Sequence, residues 1–232
     1  MTPESIRDDE ARIANAFAEC NCPYCSASAR GLVVADGAPS PEDYCSKSNS
    51  PRILFILKEV NSGKGGWDLR KFVMAGARPA TWNNLTRWIA LAHGVTLRGS
   101  LKNEDRILWL RRAVFVNLKK KPGNATAQMS VVAEFAEAHP ELLGQQLQIY
   151  NPHLTVACGT HPILRRLYGN PSFVGAKCRD GLNYYDDPDL GVVLDFYHPQ
   201  ARMTEKELAS LFKKNFRYHS NRMGWAPYRA SL

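Results

Sequence analysis

Short apolar runs alternate with stretches of helical spacing along almost the whole of this chain, and few architectures satisfy that alternation. Leu32 to Val34, Ile53 to Leu57, Ala113 to Val116, Leu154 to Cys158 and Val192 to Phe196 are brief, β-branched or aromatic, and bounded by polar or turn residues. Such runs read as strands buried on both faces. Between them Trp82, Leu85, Trp88, Ile89 and Ala92 keep helical spacing, as do Leu142, Leu143 and Leu147 with Ile149, and Ile163 with Leu164 and Leu167. Thr204 and Glu207 have the spacing of a capping box ahead of Leu208, Leu211 and Phe212. The pattern predicts an α/β fold of three αβα layers around a central, mostly parallel, four- or five-stranded sheet.

Thr2 followed by Pro3 suits the start of a helix that carries Ile6, Ile13 and Phe17 up to a cysteine cluster, and Ala38-Pro39-Ser40-Pro41 reads as loop. No internal repeat interrupts the 232 residues. The expectation is one domain over 1–232, with 1–50 as an N-terminal helix and cysteine-rich, metal-binding appendage. The longest convincing apolar run, Ile53 to Leu57, is far short of the roughly 20 residues a membrane helix needs. Glu4, Asp8, Asp9 and Glu10 stand where a secretory signal would be basic and then apolar. A cytoplasmic protein without a membrane partner is expected.

Thirty Lys and Arg against 22 Asp and Glu give a net charge of +8, which points to an anionic partner. Lys119, Lys120 and Lys121 stand in a row, and Arg202, Lys206, Lys213, Lys214, Arg217, Arg222 and Arg229 face only Glu205 and Glu207 near the C-terminus. These are candidate phosphate contacts, the alternative being a solvated surface. Cys20, Cys22 and Cys25 are packed into Cys-Asn-Cys-Pro-Tyr-Cys, with Cys45 further on. Four thiolates can close a tetrahedral structural site, and these four are the candidate ligands; the alternative is reduced thiols around a turn. Cys158 lies in an apolar run and reads as core.

In open α/β sheets ligands gather beyond the carboxyl ends of the strands. Three segments follow predicted strands directly: Lys58 to Gly66, Asn117 to Asn124, and Tyr197 to Arg202. The first is glycine-rich but is no phosphate-binding nucleotide loop, because Lys58 and Gly65 stand where a Gly and a Ser or Thr are required. No nucleotide cofactor is expected. Glu59, Asn117 and His198 supply a carboxylate, an amide and an imidazole, a set able to orient water, read a heteroatom edge and stabilise developing negative charge. Each also has a purely structural reading: Glu59 paired with Lys58 or Lys64, Asn117 capping a turn, His198 as a satisfied histidine before Pro199.

With these segments in order the chain resembles the uracil-DNA glycosylase superfamily, most closely the branch with an N-terminal iron-sulfur cluster. The resemblance is carried by Cys22-Pro-Tyr-Cys25, Val33 to Gly37, Ile53 to Asn61, Val114 to Asn117, Pro122-Gly123-Asn124, Asn151 to Gly159 and Tyr197-His198-Pro199. It implies a monofunctional, monomeric DNA glycosylase of the bacterial cytosol that flips a base out of the duplex and hydrolyses its N-glycosidic bond. Glu59 would be the general base, Asn117 would bind the extruded base, His198 would donate to a base carbonyl, and Phe72, with Trp67 as understudy, would stack on it. Arg202 or Met203 would wedge into the minor groove.

Departures from the family refine this expectation. Its third and fourth cluster cysteines would fall near Lys120 and near Ala138 or His139, so Cys20, Cys22, Cys25 and Cys45 are expected to form a replacement structural site holding zinc, the alternative being an iron-sulfur cluster. Leu57 and Val60 replace the Gly and Pro of the first motif. Asn61, followed by Ser62, Gly63, Gly65 and Gly66, replaces the tyrosine that bars substituents at pyrimidine carbon 5. The pocket is therefore expected to admit a base larger than uracil, such as hydroxymethylated or glucosylated cytosine of phage DNA, with Asn61 and Lys64 reaching the substituent. The competing expectations are ordinary uracil repair, a non-catalytic DNA-binding or sensing module, and a hydrolase of small nucleosides or nucleotides.

Overall fold

A computed structural model describes residues 1–25, 33–46, 51–62, 64–77, 80–123, 126–169, 176–177 and 182–225; Leu32, Gly63, Asn124, Cys178 and Arg229 lie outside them. Four parallel strands form the body of the sheet: β1 (Ile53–Leu57), β2 (Ala113–Asn117), β3 (Leu154–Cys158) and β6 (Gly191–Phe196). Two further strands, β4 (Ala176–Lys177) and β5 (Asn183–Asp187), continue it antiparallel in the order β2-β1-β3-β6-β5-β4. The expected α/β architecture, a mostly parallel central sheet between two helical layers, is present; among the described residues the two-residue β4 brings the strand count to six.

The difference from expectation lies at both ends of the list. Val33 and Val34 form no strand; Val34 N donates to Lys120 O at 2.8 Å, and the chain then makes isolated bridges from Ala35 to Asp68 and from Gly37 to Phe115. In the other direction β5 carries no apolar run, because Asn183, Asp186 and Asp187 flank its buried Tyr184 and Tyr185.

The parallel strands are predominantly apolar because both faces are covered, with Asn117, Thr155 and Asp195 as the polar exceptions. Ile53, Phe55 and Leu57 enter a core with Trp88, Trp109 and Phe212, whereas Leu54 and Ile56 enter a second one with Ile13, Phe17 and Phe135. Each fully buried side chain of this size contributes about 1.5–3 kcal/mol. The first core is covered by α3 (Leu69–Met74), α4 (Ala80–Ala92), α5 (Asn103–Leu110) and α9 (Glu205–Met223). The second is covered by α1 (Pro3–Glu19), α2 (Pro41–Cys45), α6 (Met129–Ala138), α7 (Pro140–Gln148) and α8 (His161–Tyr168). Both sequence-predicted starts are present: Thr2 caps α1, and Thr204 with Glu207 forms the capping box of α9. Among the described residues no helix is long and apolar enough to cross a membrane.

The chain leaves β1 through α3 to α5 on one face and leaves β2 through α6 and α7 on the other. Connections that part in this way leave a crevice at the carboxyl ends of the strands.

Candidate active site and metal centre

A cavity of about 600 Å³ occupies that crevice, and Glu59, Asn117 and His198 all line it. The three residues come from the loop after β1, the last position of β2 and the loop after β6, so parallel strand order alone gathers them. Phe72, Trp67 and Asn61 line the same cavity, with Lys58, Ser62, Trp82 and Gln200.

The Glu59 carboxylate is ion-paired with Lys119, whose ammonium also donates to Pro122 O at 3.3 Å. Gly123 lies against the same carboxylate, where a β-carbon would collide with it. Gly123 N donates to Val60 O at 2.8 Å, fastening the two loops together. Glu59 is therefore held as an acceptor with a fixed aim. Lys119 belongs to this pair instead of standing free for DNA.

Asn117 is nearly inaccessible and is gripped from behind. Its backbone N and side-chain Nδ2 both donate to Asp36 Oδ2, at 2.7 and 3.2 Å, while Gln146 Nε2 donates to Asp36 Oδ1 at 2.8 Å. Lys120 Nζ reaches both oxygens of Asp36, at 2.8 and 3.0 Å. The Lys120 side chain is only 2% exposed, which corrects its expected role as a phosphate contact: it compensates the buried charge of Asp36. Of the Lys119–Lys121 run only Lys121 stays half-exposed without an ion pair among the described residues. The sequence marks Asp36 only as part of the Val33 to Gly37 segment of the resemblance and attaches no role to it.

His198 Nδ1 accepts from Gln200 N at 3.2 Å, so in the neutral ring the proton sits on Nε2. Burial, reinforced by the charge of Lys58, lowers its pKa to about 4. A neutral imidazole N–H is a donor that can strengthen as negative charge grows on a ligand. Lys58, also unassigned from sequence, lies along Gly159, where φ is +68° and a β-carbon would be 3.3 Å from Lys58 Cε. It lines both this cavity and a neighbouring one of about 500 Å³ bounded by Asp195, Tyr197 and Arg202. Arg202 is exposed at that rim, while Met203 packs partly against the core.

One wall of the cavity is aromatic. Phe72 is 37% exposed and makes edge contacts with Trp67 and Trp82, at centroid distances of 5.8 and 6.2 Å. Asp68 caps α3 by accepting from Arg70 N at 2.9 Å, which fixes the turn carrying Phe72. Of the described residues between Asn61 and Gly66, only Asn61 and Ser62 line the cavity. Lys64 is exposed beside it, its carbonyl accepting from Trp67 Nε1 at 2.9 Å.

A second cluster lies on the other face of the sheet. Cys20, Cys22, Cys25 and His139 place their ligand atoms within 4.8 Å of one another. His139 Nε2 is 3.5, 3.1 and 3.3 Å from the sulfurs of Cys20, Cys22 and Cys25. A tetrahedral ion with bonds of about 2.3 Å to sulfur and 2.0–2.1 Å to nitrogen has ligand separations of about 3.5 Å, so the set fits one. His139 Nδ1 is 2.7 Å from the carbonyl of Phe135, which can only accept, and this turns the bare Nε2 towards the thiols. Burial and the neighbouring Cys22 and Cys20 sulfurs push the Cys25 thiol up to about 12, a repulsion that a bound cation relieves. The fourth member of the candidate metal-binding cluster is thus His139 and not Cys45, which sits half-buried at the end of α2 outside it. Sequence proximity favoured Cys45, whereas the fold brings in the α6–α7 corner.

No protein-family model and no curated protein sequence matches this chain.

Proposed function

We propose that the protein is a DNA glycosylase that receives an extruded base in the cavity and hydrolyses its N-glycosidic bond. The convergence of Glu59, Asn117 and His198 on one partly aromatic cavity carries the reading. Glu59 accepts a proton from an attacking water, Asn117 holds the base by its heteroatom edge, and His198 donates its Nε2 proton as a hydrogen bond to the departing base. Phe72 stacks on the base. The resemblance to the uracil-DNA glycosylase superfamily supports the same assignment. A volume of about 600 Å³, with Asn61 and Ser62 among the residues lining it, accords with a base larger than uracil.

The test is an abasic-site assay on matched DNAs carrying cytosine, uracil, hydroxymethylcytosine, glucosylated hydroxymethylcytosine or hydroxymethyluracil, followed by alkaline cleavage. Excision of a bulky base, abolished in Glu59→Gln, is expected. One observation favours a second reading: the carboxylate of Glu59 is already engaged by Lys119. In a DNA-binding or sensing module that pair would be structural, no base would be cut, and Glu59→Gln would leave affinity nearly unchanged. For the metal centre we propose zinc, on the three-sulfur, one-nitrogen donor set.

A further inference from the structure

Among the described residues, every hydrogen bond of the Asp36 carboxylate comes from a donor. Oδ2 takes the backbone N and Nδ2 of Asn117, Oδ1 takes Gln146 Nε2, and Lys120 Nζ bridges both oxygens. The side chains of Asp36 and Lys120 are 1% and 2% exposed, so no bulk water can replace any of these partners. A carboxylate accepts and never donates. It therefore tolerates the NH₂ end of the Asn117 amide and repels the oxygen end. A half-turn of that amide would set two buried oxygens against each other and strand an acceptor in a dry setting.

With one N–H committed to Asp36, Asn117 has its Oδ1 and its second N–H left for a ligand, in an order it cannot reverse. Asparagine amides are otherwise nearly symmetrical in shape, and a free one can read either of two opposite edges by turning over. Nucleobases present such opposites. A 4-oxo pyrimidine offers N3–H beside a carbonyl, whereas a 4-amino pyrimidine offers a bare N3 beside an amino group. For a base seated by the same walls, exchanging one for the other reverses donor and acceptor opposite Asn117.

We propose that Asp36, held by Lys120, is a positioning residue that fixes the polarity of Asn117 and so commits the cavity to one of these two edge classes, excluding the other. The inference rests on the glycosylase reading and adds to it the device that sets base selectivity. Asp36 touches no substrate; it acts through Asn117.

The experiment measures binding, so that it does not depend on cleavage. Duplexes carry 2′-fluoro nucleotides, which resist glycosidic hydrolysis, with either 5-hydroxymethylcytosine or 5-hydroxymethyluracil at the same position. These bases match in size and differ only in the edge. Wild-type protein is expected to bind one at a Kd about 10- to 100-fold below the other, the discrimination of a well-formed bidentate contact. Asp36→Asn combined with Lys120→Met removes the buried charges together and allows the amide to turn; the ratio should then fall towards one while the tighter complex weakens. If that variant does not fold, Gln146→Leu loosens Asp36 and should lower the ratio severalfold.

Equal wild-type affinities, or a ratio unchanged in a folded variant, would overturn the polarity lock while leaving the glycosylase reading intact. Binding of neither duplex above unmodified DNA, with no base excised in the cleavage assay, would remove both.

Discussion

Gly123 packs its bare Cα against the carboxylate of Glu59, in space that a β-carbon would need. Residue 123 belongs to the loop after β2, whereas Glu59 follows β1, so the aim of this carboxylate is set by a neighbouring strand's loop as well as its own. Lys119, from that same second loop, supplies the counter-charge.

Gly123→Ala should therefore push Glu59 out of line without touching any ligand. A displacement on the scale of 1 Å can cost about 100-fold in rate. Single-turnover excision by this variant is expected to fall by about that factor while Phe72 still stacks and DNA affinity stays within twofold. Excision at the wild-type rate would show that Glu59 needs no such fixing.

The basic residues should divide by burial. Lys213 and Arg217 are exposed on α9, and replacing each by Ala should flatten the dependence of log K on log salt by about 0.9 if each neutralises one phosphate. Lys120→Ala should leave that slope alone and instead destabilise the fold by about 3–5 kcal/mol, because it strands a buried carboxylate. Fluorescence anisotropy over a salt series, beside thermal unfolding, separates the two effects.

Metal content should follow geometry and ignore sequence proximity. Cys22→Ser and His139→Ala are expected to lose the bound ion and lower Tm, each kcal/mol lost being worth about 2–4 °C in a chain of this size. Cys45→Ser should retain the full complement of metal. Elemental analysis of the purified variants decides it, and retention of metal by His139→Ala would point back to Cys45.

Acid should weaken the fold over a defined window. His93, His198 and His219 are each lowered to about 4, chiefly by burial and then by the neighbouring charges of Arg112, Lys58 and Arg222. A histidine whose folded pKa lies below its unfolded value of about 6.5 takes up its proton more readily when unfolded. Its full stabilisation is present above pH 6.5 and is lost as the pH falls towards 4. Tm should decline across that interval, less steeply in His93→Gln, and His198 should show no imidazolium signal in NMR spectra at pH 6.

How much of this was legible in the sequence follows from the range of the interactions. The four parallel strands and the helices α1, α4, α7, α8 and α9 are local patterns of spacing and capping, and the strand-end rule brings Glu59, Asn117 and His198 together from three distant segments. What stayed hidden depends on pairing across the fold. Lys120 looks like one of three surface lysines until Asp36 is seen beneath it. His139 stands where the resemblance puts the fourth cluster ligand, but it is no cysteine, and only the fold sets its ring among Cys20, Cys22 and Cys25. Burial alone turned one apparent phosphate contact into a core ion pair, and nothing in the local composition marks that.

The parallel order also sets when the site can exist. Glu59, Asn117 and His198 arrive with β1, β2 and β6, and β6, the last of the described strands in sequence, docks beside β3. A ribosome-bound or half-folded copy carries the carboxylate and the amide but has no cavity to put them in. Whatever reaction the site performs is thus withheld until β6 has been made and has docked, so a copy stalled before that strand carries the reactive groups without the means to use them.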